Sequence, residues 1–198
     1  MDPKRIIAET RAWVDRAVIG LNLCPFAKAV QVKQLVRYVV SDARSTEALC
    51  AALRDEMLAL AAADPNLIDT SLLIHPAVLQ DFADYNEFLD VADALLVELD
   101  LEGTLQVASF HPHYQFAGSA ADDVGNATNR APYPTLHLLR EASVDRAVAA
   151  FPDADAIIDA NLATLQALGA AGWAAVQAQC QADAAAGSDV APPQTPVT

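Results

Sequence analysis

The sequence predicts an α/β fold, a small mixed but mostly parallel sheet of about four strands, with helices on both faces and a helical C-terminus. Three observations carry that expectation. Stretches with an apolar residue at every third or fourth position alternate with short β-branched or wholly apolar runs, in the order α-β-α-β-α-β. A helix between consecutive strands acts as a crossover, which leaves the first three strands parallel and right-handed. Beyond about residue 140 only helical periodicity remains.

Asp2 and Pro3 form an N-cap and first-turn pair, after which Ile6, Thr10, Trp13, Ala17 and Leu21 mark one buried face of a helix over 3–21. Residues 31–40, QVKQLVRYVV, read as the first strand. Ser45 caps a second helix whose Leu49, Leu53, Met57 and Leu60 line one side until Asp64-Pro65 stops it. Residues 71–75, SLLIH, are the apolar run of a strand covered on both faces. Asp81 opens a third helix, with Phe82, Tyr85, Leu89, Ala92, Leu96 and Leu99 at helical spacing and Gly103 as its stop. The third strand covers 105–110 and the fourth 135–139, the latter free to double back antiparallel at an edge. Ser143 caps a short helix to Phe151, and helices over 157–168 and 173–181 follow, broken by Gly169. Trp13 and Trp173 are expected in the core. The domain is expected to span 1–181, with the Pro/Ala/Ser-rich residues 182–198 as a disordered tail.

Composition narrows the function classes. The 198 residues carry 12 Lys+Arg against 26 Asp+Glu, a net charge of −14, so nucleic acid and anionic membranes are disfavoured as partners. No run of about 18 apolar residues could span a membrane. The N-terminus has charges every few residues and no leader-like apolar stretch, and three scattered cysteines (Cys24, Cys50, Cys180) suit a reducing compartment, so the expected location is cytoplasmic. Gly-rich phosphate loops, zinc-ribbon spacings and GxSxG elbows do not occur.

The segment 111–134, HPHYQFAGSAADDVGNATNRAPYP, is the sharpest functional signal, because irregular loops this long inside compact domains are usually functional. His75 ends the second strand and His111 and His113 end the third, where such sheets bind ligands. An antiparallel fourth strand would bring Asp122, Asp123, Asn126, Asn129, Arg130 and Tyr133 to the same edge. Arg130 stands alone: from Asp55 to Asn129 there are 14 acidic residues and no Lys or Arg. It reads either as a structural clamp on Asp122 or Asp123, or as a planar fork for an anionic substrate group. His111-Pro112-His113 has a spacing that puts two imidazoles on one side of an extended segment, and with Asp122 or Asp123 it would suit zinc, iron or manganese. The alternative is a Pro-stiffened loop start with one bonded and one exposed histidine. Asp122 and Asp123 equally suit turn capping. Cys24 in NLCPFA reads as a nucleophile with His111 as base, or as a small buried apolar residue beside Pro25 and Phe26, and Cys50 and Cys180 read as helix packing residues.

The blocks NLCPFAKA, TSLLIHPAVLQDFADYNEFLD, QVASFHPHYQFAG and DDVGNATNRAPYPTLHLLREASVDRAV resemble a bacterial family catalogued as domain of unknown function 1415, over the chain up to about Gly172 and Trp173. The resemblance implies a small cytoplasmic bacterial protein of one domain and brings no activity with it. Cys24, His75, His111, Gln115, Asp123, Asn126, Asn129, Arg130, Tyr133 and His137 match positions of the family's motif, whereas His113, although inside the third block, does not, which favours His111 over a paired-histidine metal site.

The resulting expectation is a small-molecule enzyme of hydrolase or transferase type. His111 is its general acid or base, Asp123 orients it or ligates a metal, Arg130 clamps an anionic group, and Cys24 is a further catalytic candidate. Asn126, Asn129, Tyr133, Gln115 and His75 are the expected substrate-binding residues. Two alternatives stand beside it: a non-catalytic binding or assembly protein presenting the same loop to a partner, and a metal-dependent enzyme with His/Asp ligands. The sequence leaves the cofactor and the oligomeric state open.

Overall fold

The computed structural model describes residues 2–150 and 155–187. Helix α1 (Pro3–Trp13) starts as the sequence reads, with the Asp2 carboxylate accepting from the Lys4 amide, and widens without a break into a π-helical segment at Val14–Ile19. The first strand is shorter than expected. Residues 27–32 wind into a two-turn helix, α2 (Ala27–Val32), and β1 is confined to Val36–Val40, with Gln34 at φ 58° turning the chain between them. The β-branched content of 31–40 thus resides mainly in its second half, and the polar first half is free to stay helical.

Helix α3 (Thr46–Ala62) is capped by Ser45, and its Leu49, Leu53, Met57 and Leu60 are buried as their spacing requires. Strand β2 (Thr70–Ile74) is buried along its whole length. Helix α4 (Phe82–Glu98) is capped by Asp81, which accepts from Ala83 and Asp84. Asp100, at φ 56°, turns the chain just after it, and Gly103 (φ 73°) belongs to the next turn rather than to the helix stop. Strand β3 (Leu105–Phe110) leads into the long loop, which contains one turn of 3-10 helix at Val124–Asn129. Strand β4 (Thr135–Arg140) passes directly into α5 (Glu141–Ala149), so Arg140 occupies the cap position expected of Ser143. The last helix, α6 (Asp155–Gly187), is broken at Gly169 (φ 66°, ψ 175°), a backbone conformation open to glycine alone. It continues past the expected domain boundary at 181: Ala184 is buried and Asp183 bonds Arg16 at 2.5 Å. The rest of the expected tail, 188–198, lies outside the described residues, as do residues 151–154.

The sheet order is β1-β2-β4-β3. β1 and β2 pair in parallel, but β4 inserts antiparallel between β2 and β3. The sheet is therefore mixed, with one parallel and two antiparallel pairings, and not mostly parallel. The three helix-connected strands do point the same way. What the crossover rule could not supply is the gap left between β2 and β3, which the returning fourth strand fills instead of taking an edge.

Period-two alternation divides the sheet into two faces. Val39, Leu73, Leu105, Val107, Leu136 and Leu138 face α3 and α4 in one core. Val36, Tyr38, Val40, Leu72, Ile74 and Phe110 join a second core with α1, its π-helical extension and α6, where Trp13 meets Phe110 edge-on at 5.2 Å between ring centroids and Trp173 is buried. Among the described residues no helix is long and apolar enough to cross a membrane.

Candidate functional site

The loop between β3 and β4 is held by its own polar side chains. Asn126 is fully buried; its carbonyl oxygen accepts from the Phe116 amide at 3.0 Å and the Ser119 hydroxyl at 2.8 Å, and its amide donates to Ala120 O at 2.8 Å. Asn129 donates to Ser109 O at 3.1 Å, and Gln115 donates to Ser119 O at 2.7 Å. Asp123 caps the 3-10 turn by accepting from Gly125 at 2.8 Å. Arg130 is a clamp, but on the backbone and not on Asp122 or Asp123: it donates to Tyr114 O at 3.2 Å and to Ala121 O at 2.6 Å. Partial burial lowers its pKa, with the Asp123 charge opposing. Tyr133 donates to Glu9, which in turn pairs with Arg5.

His75 and His111 do come together, on the α4 side of the sheet. Both lie against Tyr85, with ring centroids 5.8 Å and 5.1 Å away. Both rings are bonded to the surrounding backbone. His111 is buried; its Nε2 donates to Leu79 O at 3.2 Å, and its Nδ1 accepts from the His113 amide at 3.0 Å. A ring nitrogen accepting a backbone N–H must be unprotonated, so His111 is the neutral Nε2–H tautomer with both nitrogens engaged. Burial lowers its pKa. His75 donates from Nδ1 to Val78 O at 3.1 Å, while its Nε2 is buried without a partner. Burial, reinforced by the neighbouring His111, depresses its pKa to about 4. The two imidazoles thereby pin residues 78 and 79, the second of which is held at φ 55°. His113 is exposed, with its ring centroid 5.8 Å from that of His111, whose two nitrogens are already engaged. Among the described residues no three His, Cys, Asp or Glu side chains are placed to hold a metal ion.

Two cavities lie on the opposite face. The smaller, about 240 Å³, is bounded by Glu9, Trp13, Pro112, Arg130, Tyr133 and Trp173, between α1, α6 and the loop. The larger, about 590 Å³, opens beside α2 and α5 and is almost wholly apolar. Neither is lined by His75 or His111. The fold thus divides the groups expected to share one crevice: His75 and His111 pack toward α4, Arg130 and Tyr133 line the small cleft, and Cys24 lines the large cavity.

The large cavity is built by three devices. Its floor is the sheet, where two cross-strand rows, Leu72-His137-Ala108 and Thr70-Leu139-Gln106, follow the strand register. Ala108 beside His137 leaves the space a larger residue would fill. One wall is the end of α1 and the π-helical segment (Trp13, Val14, Val18) followed by Cys24 to Ala27 and α2. π-helical bulges are frequent at functional sites, and this one lines a cavity. The other wall is α5, where the Ser143 hydroxyl donates to Asp69 at 2.6 Å and accepts from Arg146 at 2.9 Å. Arg140, also at the rim, donates to Leu60 O, Ala63 O and Ile68 O, closing the C-terminal end of α3.

His137 is the residue that site reasoning from the sequence passed over. Its signal was present: a histidine flanked on both sides by leucine in the strand run TLHLL. The Thr70 hydroxyl lies 2.6 Å from Leu138 O, to which it must donate, and 2.7 Å from His137 Nε2, from which it therefore accepts. That fixes the proton of His137 on Nε2. Burial depresses its pKa to about 4, so the ring is neutral near pH 7.

No curated protein and no solved structure matches the chain. One family matches residues 5–175, close to the whole of the domain described above. The chain belongs to that family, described as "Protein of unknown function (DUF1415)".

Proposed function

We propose that this protein takes up a small, predominantly apolar molecule in the large cavity between the sheet and helices α2 and α5. The observation that carries the reading is the cavity itself: about 590 Å³, lined by Trp13, Val14, Val18, Phe26, Leu72 and Phe110, with few polar groups. Ligand sites typically occupy 300–1,000 Å³ with mainly hydrophobic walls and a small number of placed polar groups, on the order found here. If the ligand is also transformed, Cys24, Asp69 and His137 are lining side chains able to act as nucleophile or proton carrier.

Ala108→Phe tests this directly, since it places a ring in the cavity floor without touching the α3/α4 core. N-phenyl-1-naphthylamine, a neutral fluorescent dye, is expected to bind the wild type at one site and to lose at least tenfold in affinity in the variant, with circular dichroism unchanged. Equal binding by both proteins would overturn the reading.

A second reading retains a hydrolase or transferase acting at the loop. What favours it is that Arg130, Tyr133 and Glu9 line the small cleft together. It receives less support, because His111, Asp123, Asn126 and Asn129 all bond within the loop or to its neighbours, which favours a rigid scaffold over free catalytic groups. The two readings differ in which cavity holds the ligand.

A further inference from the structure

We infer that the ligand of the large cavity carries a hydroxyl or N–H donor on its apolar body, and that His137 Nδ1 is the acceptor that selects it. The inference rests on the proposed apolar site and adds its chemical specificity. His137 lies in the middle of the cavity floor, flanked in register by Leu72 on β2 and Ala108 on β3. Its Nε2 proton is directed to Thr70, and the Thr70 hydroxyl is itself committed to Leu138 O. The Nδ1 lone pair is left without a partner among the described residues. It also differs from His75 Nε2, which is sealed in the core, because His137 borders open space.

An acceptor in an apolar surrounding discriminates by what it leaves unmet. A ligand without a donor strips water from Nδ1 and returns nothing, whereas a phenol, alcohol or indole-type N–H satisfies it. Arg140 and Arg146 also line the rim of the cavity but are donors only and cannot take this role; Arg140 is bonded through one terminal nitrogen to three backbone carbonyls, with its Nε buried and unpaired, and Arg146 to Ser143. Asp69 at the same rim accepts from Ser143. The lining therefore presents an open acceptor at the centre of the floor, with the Gln106 amide in the neighbouring cross-strand row, beneath a mostly apolar volume, which suits a ring-sized molecule carrying a donor. Thr70 is a positioning residue, since it acts only by holding the imidazole proton on Nε2.

The test uses 1-naphthol and 1-methylnaphthalene, which share shape and differ in one donor, titrated against the wild type and His137→Phe by calorimetry. The ratio of their association constants is expected to fall about 2- to 13-fold on substitution, the span of one net hydrogen bond. An unchanged ratio, with both probes bound, overturns the donor assignment while leaving the apolar site intact. Failure of both probes to bind the wild type overturns the apolar site and the inference with it. Independently of whether the variant folds, 15N chemical shifts of wild-type His137 must show Nδ1 as the unprotonated nitrogen, moving toward mixed tautomers in Thr70→Val. A protonated Nδ1 in the wild type overturns the inference.

Discussion

At the scale of single residues, the histidines are distinguished by which nitrogen carries the proton and what lies beside it. His75 and His137 are both held near pKa 4 by burial, against an ordinary value of 6.5. Because the folded values lie below the unfolded one, the unfolded chain binds more protons between about pH 4 and 6.5. Their contribution is complete above pH 6.5 and lost as pH falls through 4, on the order of 3 kcal/mol for each residue. Thermal unfolding of the wild type should show a falling Tm across that window, and His137→Phe should reduce the slope. A Tm that stays level from pH 7 to 4.5 would contradict the burial of both rings. Asn126 belongs to the same scale. Its three hydrogen bonds join residues 116, 119 and 120, so Asn126→Ala should cost about 3 kcal/mol and leave the loop prone to proteolysis. Its role was not separable from substrate binding in the sequence, since a buried amide that staples a loop and an exposed one that binds a ligand are the same letter. The same holds for Arg130, where solitude among 14 acidic residues suggested an ion pair but backbone carbonyls took the guanidinium.

At the scale of elements, the long helices and the last three strands follow the periodicity closely, because capping residues and apolar spacing are local properties. Ser45 and Asp81 cap as read, and β3 covers the six residues expected. The departures occur where local signals are mixed. The stretch 31–40 divides between α2 and β1, and the π-helical widening after Trp13 keeps the same buried face as an α-helix, so spacing could not reveal it. Gly169 was legible as a break, and its dihedrals supply the reason. Gly169→Ala should destabilise the protein by about 1–3 kcal/mol, because no side-chain-bearing residue rests in that region of backbone space. Denaturant titration checks this, and a variant as stable as the wild type would mean that the two halves of α6 can realign.

At the scale of the whole molecule, the placement of β4 decides where a ligand can sit. Inserted between β2 and β3, it carries His137 to the centre of the sheet face opposite α3 and α4, between Leu72 and Ala108. Strand order depends on non-local pairing, and the sequence supplied only the direction of β4, not its slot. For that reason the loop residues drew attention as a site while the cavity on the other side of the sheet, assembled from apolar residues of α1 and its π-helical extension, α2, α5 and all four strands, left no motif to find. Charge acts at this scale too, since a net −14 favours neutral or cationic ligands through the long-range field while the cavity itself is apolar. The most direct measurement is methyl NMR of the labelled protein titrated with 1-naphthol. The predicted result is saturable shift changes at the methyls of Val14, Val18, Ala29, Leu72 and Ala108, with residues 111–134 undisturbed; changes confined to that loop would contradict the account.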